Sequence, residues 1–345
     1  MSAARDDSGG WLRERLGWAP LTAALAAYRI PRGNIAFYLG GTTLFLLLVQ
    51  VASGIMLTLY YKPDAAQAFR SVERITGEIE YGNLVHSFHV WSSDLFIACL
   101  FAHLFFVLVR RGFRAPHELS WLTGLMGLVL GVGLAFTGDI LPWSQRAYTD
   151  ARVGSEFAKY VPLVGTWLNR FLRGGDEVTS NTLVHAYGFH VAALPAALTL
   201  VVALHIFLLT RRSTPVPEEA SRETIPLYPD FFVRQAAALT AVLVVIMTLA
   251  IFFERPLGIA ADPRLSSPGG AMPPWYFLAI HQILRAAPTE LLGIDGARFL
   301  VSAACLLGLL VAALPFIDRR GSKATAVLAW VLLFVLILLA ASALN

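Results

Sequence analysis

The chain carries only two cysteines, Cys99 and Cys305, in 345 residues. That is too few for a disulfide scaffold, a zinc site or an iron–sulfur cluster, and no C-x-x-C-H offers a covalent c-type haem. Charge is also scarce. Charged residues make up 14% of the chain, against about 25% in soluble globular proteins. Soluble, disordered, collagenous and low-complexity classes are excluded together. The net charge of +4 is too small and too scattered to point to nucleic acid. The first long apolar run begins only after Arg32, so no signal-peptide pattern is expected. What remains is apolar length. The chain is 57% hydrophobic, and the composition predicts an all-α integral membrane protein.

A spanning helix needs about 20 largely apolar residues. Seven stretches qualify, over 36–60, 88–110, 120–141, 183–210, 234–253, 299–317 and 324–343. Strands would have to close into a barrel to satisfy that much backbone in lipid, so helices are expected. With a cytoplasmic N-terminus, the inner segments hold 15 of the 27 Lys and Arg residues in 74 positions, and the outer loops hold 12 in 106. That bias predicts a multi-pass protein of the bacterial cytoplasmic membrane with its C-terminus outside. Residues 11–28 (WLRERLGWAPLTAALAAY) read as an amphipathic helix on the inner surface, within an interfacial segment over 1–32. The proline-bearing stretch before the fifth span divides a four-helix unit (33–215) from a three-helix unit (216–345). The two long loops, 143–181 and 254–298, both face outside, and long ordered loops tend to carry function.

Eight histidines occur, and four lie in predicted spans: His89 and His103 are 14 apart on the second, His190 and His205 are 15 apart on the fourth. Four helical turns take about 14.4 residues, roughly 21 Å of axis, so each pair lies near one stripe at two depths. The second and fourth spans run in the same direction, which matches His89 with His190 and His103 with His205. Zinc asks for four ligands at one depth. Facing imidazoles at two depths suit axial ligation of haem iron, the second ring nitrogen bonding to a carbonyl or hydroxyl. A lone buried histidine is more often a satisfied core residue, and a transporter with structural histidines is the reading in which all four are. Gly40 and Gly54 on the first span, and Gly124 and Gly138 on the third, repeat the 14-residue interval. Glycine permits close approach, so these positions predict width for a flat cofactor, although glycine is common in membrane helices generally.

The segments NIAFYLGG, LVQVASGIMLTLYYKP, FTGDILPWSQ, VPLVGTWLNRFLRGG and PPWYFLAIHQILRAAP resemble cytochrome b of the cytochrome bc and bf complexes. The resemblance covers nearly the whole chain and is nearest to the bf branch, whose four-helix and three-helix parts are separate polypeptides but here are fused. It implies two b-type haems, one on His89 and His190 near the outside, one on His103 and His205 near the inside, with Gly40, Gly54, Gly124 and Gly138 giving clearance. It further implies a quinol oxidoreductase of the quinol–cytochrome c reductase type. One electron from quinol would pass to a Rieske iron–sulfur protein and a cytochrome c-type subunit, the other through the haems to an inner quinone site. A homodimer in membrane lipid is the implied assembly. The alternative is a di-haem anchor serving another redox module, such as a dehydrogenase, hydrogenase or nitrate reductase.

The chain also departs from that family. Pro273-Pro274-Trp275-Tyr276 stands where Pro-Glu-Trp-Tyr is usual, and proline accepts no proton. Beside Trp275 and Tyr276, Asp139 replaces a tyrosine and His281 follows Pro274 by seven residues. Ionisable groups at membrane depth are costly and often functional. Either is expected to take over the proton, unless both are merely solvated at the outer surface. His86, His185 and His117 occupy places where the family has arginine, making the outer haem's potential sensitive to pH between about 5 and 8. Arg114 completes the candidate cofactor set. On the inner side Arg234 and Gln235 replace a basic residue and an aspartate of the quinone site. Tyr38 replaces the cysteine that holds a third haem in the bf branch.

Overall fold

The computed structural model describes residues 23, 25–32, 35–211, 223–265, 272–319 and 322–342. Most of the interfacial helix expected over 11–28 lies outside them, as does the 215/216 boundary. Seven helices are long and apolar enough to cross a membrane. They are α1 (Ile35–Thr58), α3 (Gly82–Val109), α4 (Glu118–Ile140), α7 (Ser180–Arg211), α8 (Phe232–Phe252), α10 (Gly296–Ile317) and α11 (Lys323–Ser342). Short helices α2 (Ala68–Gly77), α5 (Gln145–Ala158), α6 (Gly165–Arg173) and α9 (Leu278–Arg285) sit in the connections. α3 starts six residues earlier than predicted, and the fifth span, counted from its opening turn at Leu227, starts seven earlier. Tyr81, in the left-handed region at φ 58°, sets the α3 boundary. From Gly82 to Ser93 nothing charged interrupts the helix.

α7 is not a uniform helix. Between Phe189 and Ala193 it widens to a five-residue turn, with the Leu194 N–H donating to the Phe189 carbonyl. Pro195 follows, and it has no N–H to offer the turn before it. Such a turn absorbs one extra residue, so the 15 residues from His190 to His205 cover the rotation of 14. The two histidine pairs thereby keep the same step on both helices.

α1 packs intimately on α3, and α4 on α7. Leu46, Phe96, Ile97, Ala135, Leu198 and Ile246 form the mid-bundle core, one or more from each of α1, α3, α4, α7 and α8. Leu48, Leu200, Leu309 and Phe334 face outward, an apolar belt that lipid, not water, covers. The C-terminal helices attach through polar fittings. Pro315 leaves the Val311 carbonyl without its helical donor, and the Trp121 indole N–H fills it at 3.0 Å. Trp91 donates likewise to the Phe253 carbonyl at 2.8 Å. Two short strands, β1 (Arg29–Pro31) and β2 (Thr224–Pro226), pair antiparallel, tying the approach to α1 to the approach to α8.

The end of the bundle where α4 closes and α7 begins is capped by α2, α5 and α6 around Ala68, Ile140, Trp143, Ala151, Val178, Leu183 and Ala186. Arg173 is its buried polar tie. It donates to Ser155 Oγ at 2.7 Å, to Glu156 at 2.8 Å and to the carbonyls of Arg152 and Asp176. Arg173→Ala strands those acceptors, and a destabilisation of the cap by about 2–3 kcal/mol is expected. Limited proteolysis between 159 and 178 should accelerate while the spanning helices stay resistant.

Candidate functional site: four imidazoles and an outer acidic cluster

Each of the four histidines lies against one of the four glycines. A Cβ on Gly54 would sit 3.3 Å from His89 Cε1, on Gly138 2.7 Å from His190, on Gly40 3.2 Å from His103 and on Gly124 3.4 Å from His205. The width these glycines provide is taken up directly by the imidazoles. Hydrogen bonds then settle the tautomers. The Ser53 hydroxyl donates to the Val49 carbonyl, so it accepts from His89 Nδ1–H at 2.8 Å. Thr123 donates to Leu119 and accepts from His205 Nδ1–H at 2.9 Å. His190 Nδ1 donates to the Leu134 carbonyl at 2.9 Å. His103 Nδ1 is buried without a well-formed bond, with the Ala36 carbonyl as its polar neighbour. With Nδ1 bonded to the helix behind, Nε2 carries the lone pair that a metal needs.

The His89 and His190 rings face each other with centroids 6.3 Å apart and planes at 80°. Two metal–nitrogen bonds of about 2 Å, with roughly 1 Å from each nitrogen to its ring centre, span about 6 Å. The pair is spaced so that the two imidazoles could hold one iron between them. His103 and His205 form the second level, close enough to act on each other electrostatically. Among the described residues no three His, Cys, Asp or Glu side chains gather as a metal cage. His86 precedes His89 by one turn. His185 turns away from the bundle axis, its Nδ1 on the Phe171 carbonyl at 3.1 Å. His117 is buried at the start of α4, and Arg114 bonds back to the Arg111 carbonyl.

At the end of the bundle where α1 and α8 begin, Gln235 is buried between those two helices. Its Nε2 donates to Thr42 Oγ1 at 3.2 Å, and Gly41 would place a Cβ 3.1 Å from its amide. Its Oε1 is buried with no donor. Arg234 beside it is exposed.

At the opposite end the Pro-Pro-Trp-Tyr turn docks on carboxylates. Tyr276 OH donates to Asp139 Oδ2 at 2.8 Å, and Trp275 Nε1 donates to Asp94 Oδ1 at 3.0 Å. Asp94 is also paired with Arg255, whose guanidinium lies 4.1 Å over the Trp91 ring. Burial, reinforced by the Asp139 charge, holds the Tyr276 hydroxyl well above its usual range, so it keeps its proton and donates. Asp150 on α5 meets Arg146 at 3.6 Å with its side chain only 10% exposed. Burial pushes its carboxyl up to about 7, Arg146 opposing and Asp139 adding. His281 is not among the groups coupled to Asp139 or Tyr276; its Nδ1 is buried without a partner.

Family models match two parts of the chain, Cytochrome b/b6/petB over residues 26–213 and Cytochrome b(C-terminal)/b6/petD over 260–344. The cytochrome b subunit of the cytochrome bc complex from Chlorobaculum thiosulfatiphilum is 33% identical over 327 residues, covering 92% of this chain and 75% of that protein. The chain belongs to the cytochrome b family. Cytochrome b6 of Heliomicrobium gestii is 39% identical over 202 residues, 58% of this chain and 95% of its own. The cytochrome b6 match covers a little over half of this chain, whereas the match to the Chlorobaculum relative covers most of it. A chain of a solved hyperthermophilic respiratory Complex III shares the fold, with TM-score 0.85 and 24% identity over 97% of this chain and 91% of that one.

For a cytochrome b, the sequence missed Asp94, Arg255 and Asp150. Asp94 had a signal, as a carboxylate inside an apolar span; the other two were lost among loop charges. Haem content provides one check. Gly138→Ala forces a shift of His190 and is expected to lower b-type haem, read from the reduced spectrum, whereas Gly124→Ala, at an ordinary contact distance, should keep it. The ion pair provides another. Asp94→Ala leaves Arg255 and the Trp275 N–H unpaired and should destabilise by about 2–3 kcal/mol. Asp94→Ala with Arg255→Met should recover part of that loss in thermal inactivation.

Proposed function

We propose that this cytochrome b is the di-haem subunit of a bc-type complex that oxidises quinol near the outer membrane face. The observation that carries the reading is the pair of imidazole levels, with three of the four rings hydrogen-bonded at Nδ1 to the helix behind and so carrying the free lone pair on Nε2. His89 and His190 would hold the outer haem, His103 and His205 the inner one. Bound haem supplies reversible one-electron chemistry at two depths. The protein's own part is to fix ring orientation, keep water from the core through Leu46, Phe96, Ile97 and Leu198, and shape the quinone sites. A Rieske protein and a cytochrome c-type subunit are the partners such a complex requires, in a homodimer with the N-terminus on the cytoplasmic side.

Asp139 is assigned the proton role that Pro274 cannot fill. Its carboxylate already accepts a hydrogen bond from Tyr276, which orients it beside the Pro-Pro-Trp-Tyr turn. A quinol hydroxyl there would give its proton to Asp139. On the inner side, Gln235 Oε1 is a buried acceptor in need of a donor, and a quinol hydroxyl supplies one. The loss of the motif glutamate favours one other reading, a haem anchor for a different redox module without quinol oxidation at this face.

Asp139→Asn separates the two. Quinol oxidation in membranes is expected to fall about 10²-fold, with haem content intact, and His281→Phe should change it little. Normal oxidation in Asp139→Asn, or no oxidation in the parent protein, goes against the assignment. His89→Ala and His103→Ala should each remove one haem of two in a pigment-to-protein titration.

A further inference from the structure

We propose that Asp150 is a second proton-carrying carboxylate of the outer site, receiving the proton from Asp139 and releasing it to the outer aqueous phase. This rests on the assignment of quinol oxidation to that site.

Three observations carry the relay. Asp150 sits at the junction of three elements. Its own helix α5 contributes Arg146, α4 contributes Asp139, whose charge acts on it, and in the turn before α9 lies Tyr276, whose hydroxyl feels the Asp150 charge. Behind Asp139 lie Asp94 of α3 and Arg255 of the loop after α8. Secondly, Asp150 is buried with little structural return. A buried carboxylate normally gathers several hydrogen bonds. Among the described residues Asp150 has one contact, to Arg146 at 3.6 Å. Thirdly, that arginine leads outward. Its side chain is 59% exposed while that of Asp150 is 10% exposed, so the pair joins the interior to water. The chain over 259–265 lies across the start of α5. Gln145 N–H donates to the Ile259 carbonyl at 2.8 Å, and Asp262 N–H donates to Gln145 Oε1 at 2.8 Å.

The proton balance is simple. A quinol O–H breaks, its bonding pair stays on the quinol oxygen, and an O–H forms on Asp139. That bond then breaks as one forms on Asp150, and Asp150 finally protonates water. Neither carboxylate is oxidised or reduced. Mutual repulsion disfavours both being ionised together, so one proton is held between them and the second carboxylate is ready when the first is filled. Tyr276 keeps its own proton and acts as a positioning residue. With its carboxyl near 7, Asp150 is able to accept only above that pH, and relay through it should quicken as pH rises through about 7.

The test uses the assembled complex in membranes, a short-chain quinol, and infrared difference spectra of the carboxylic C=O stretch. Asp150→Asn should slow oxidation about 10-fold, flatten the rise with pH near 7, and remove one carboxylic band that titrates there. Asp150→Glu should restore most of the rate. Asp139→Asn should leave the Asp150 band but move its titration to lower pH, since a neighbouring negative charge is gone; this arm needs neither turnover nor a stable Asp150 variant. An unchanged rate and pH profile in Asp150→Asn, while Asp139→Asn is slow, overturns the relay and leaves the site reading standing. An Asp150 band indifferent to Asp139→Asn also overturns it. A parent complex that oxidises no quinol overturns both.

Discussion

An imidazole offers one nitrogen to a metal only if something holds its other edge. Here that hold comes from the neighbouring helix in each half of the bundle: α1 stands behind the histidines of α3, and α4 behind those of α7. The hydroxyls of Ser53 and Thr123 have already spent their protons on carbonyls of their own helices, so they receive from the ring. The glycines let the backbones come close enough for this to happen. Helix pairing, ring tautomer and inward lone pair are thus one arrangement. The mid-bundle core merely separates its two levels.

The outer face follows a different logic. Carboxylates at Asp94, Asp139 and Asp150 gather where a low dielectric makes each expensive, and each has a different remedy. Asp94 has a full counter-charge in Arg255 and a donor in Trp275. Asp139 has a phenol. Asp150 has one distant arginine. The gradient from well paired to poorly paired separates the group that anchors the turn from those available for proton chemistry. With Pro274 in place of the motif glutamate, the proposed assignment puts acid–base work on the helices on which the turn rests.

The seven spans were legible because a run of apolar residues is a local property, and so was the matched spacing of histidines and glycines within single helices. What each glycine touches was not legible. It depends on the rotation of one helix against another, which no interval within a helix reports. The 15-residue step from His190 to His205 illustrates the limit. Its agreement with a 14-residue step needs the widened turn ahead of Pro195, and the proline gave only a hint. Asp150 was hidden for the opposite reason. In the run SQRAYTDAR it reads as a solvated loop charge, and only the folded packing around α5 leaves its side chain 10% exposed.

The β1–β2 ribbon carries a consequence for how the molecule is strung together. It joins the entrances of α1 and α8 by backbone bonds, and the Trp121 and Trp91 fittings lock the later helices onto the bundle farther along the axis. The peptide link between Arg211 and Glu223 is then redundant as a tether. A protein nicked there would hold its two pieces in register, and a single gene or two adjoining ones would specify the same object.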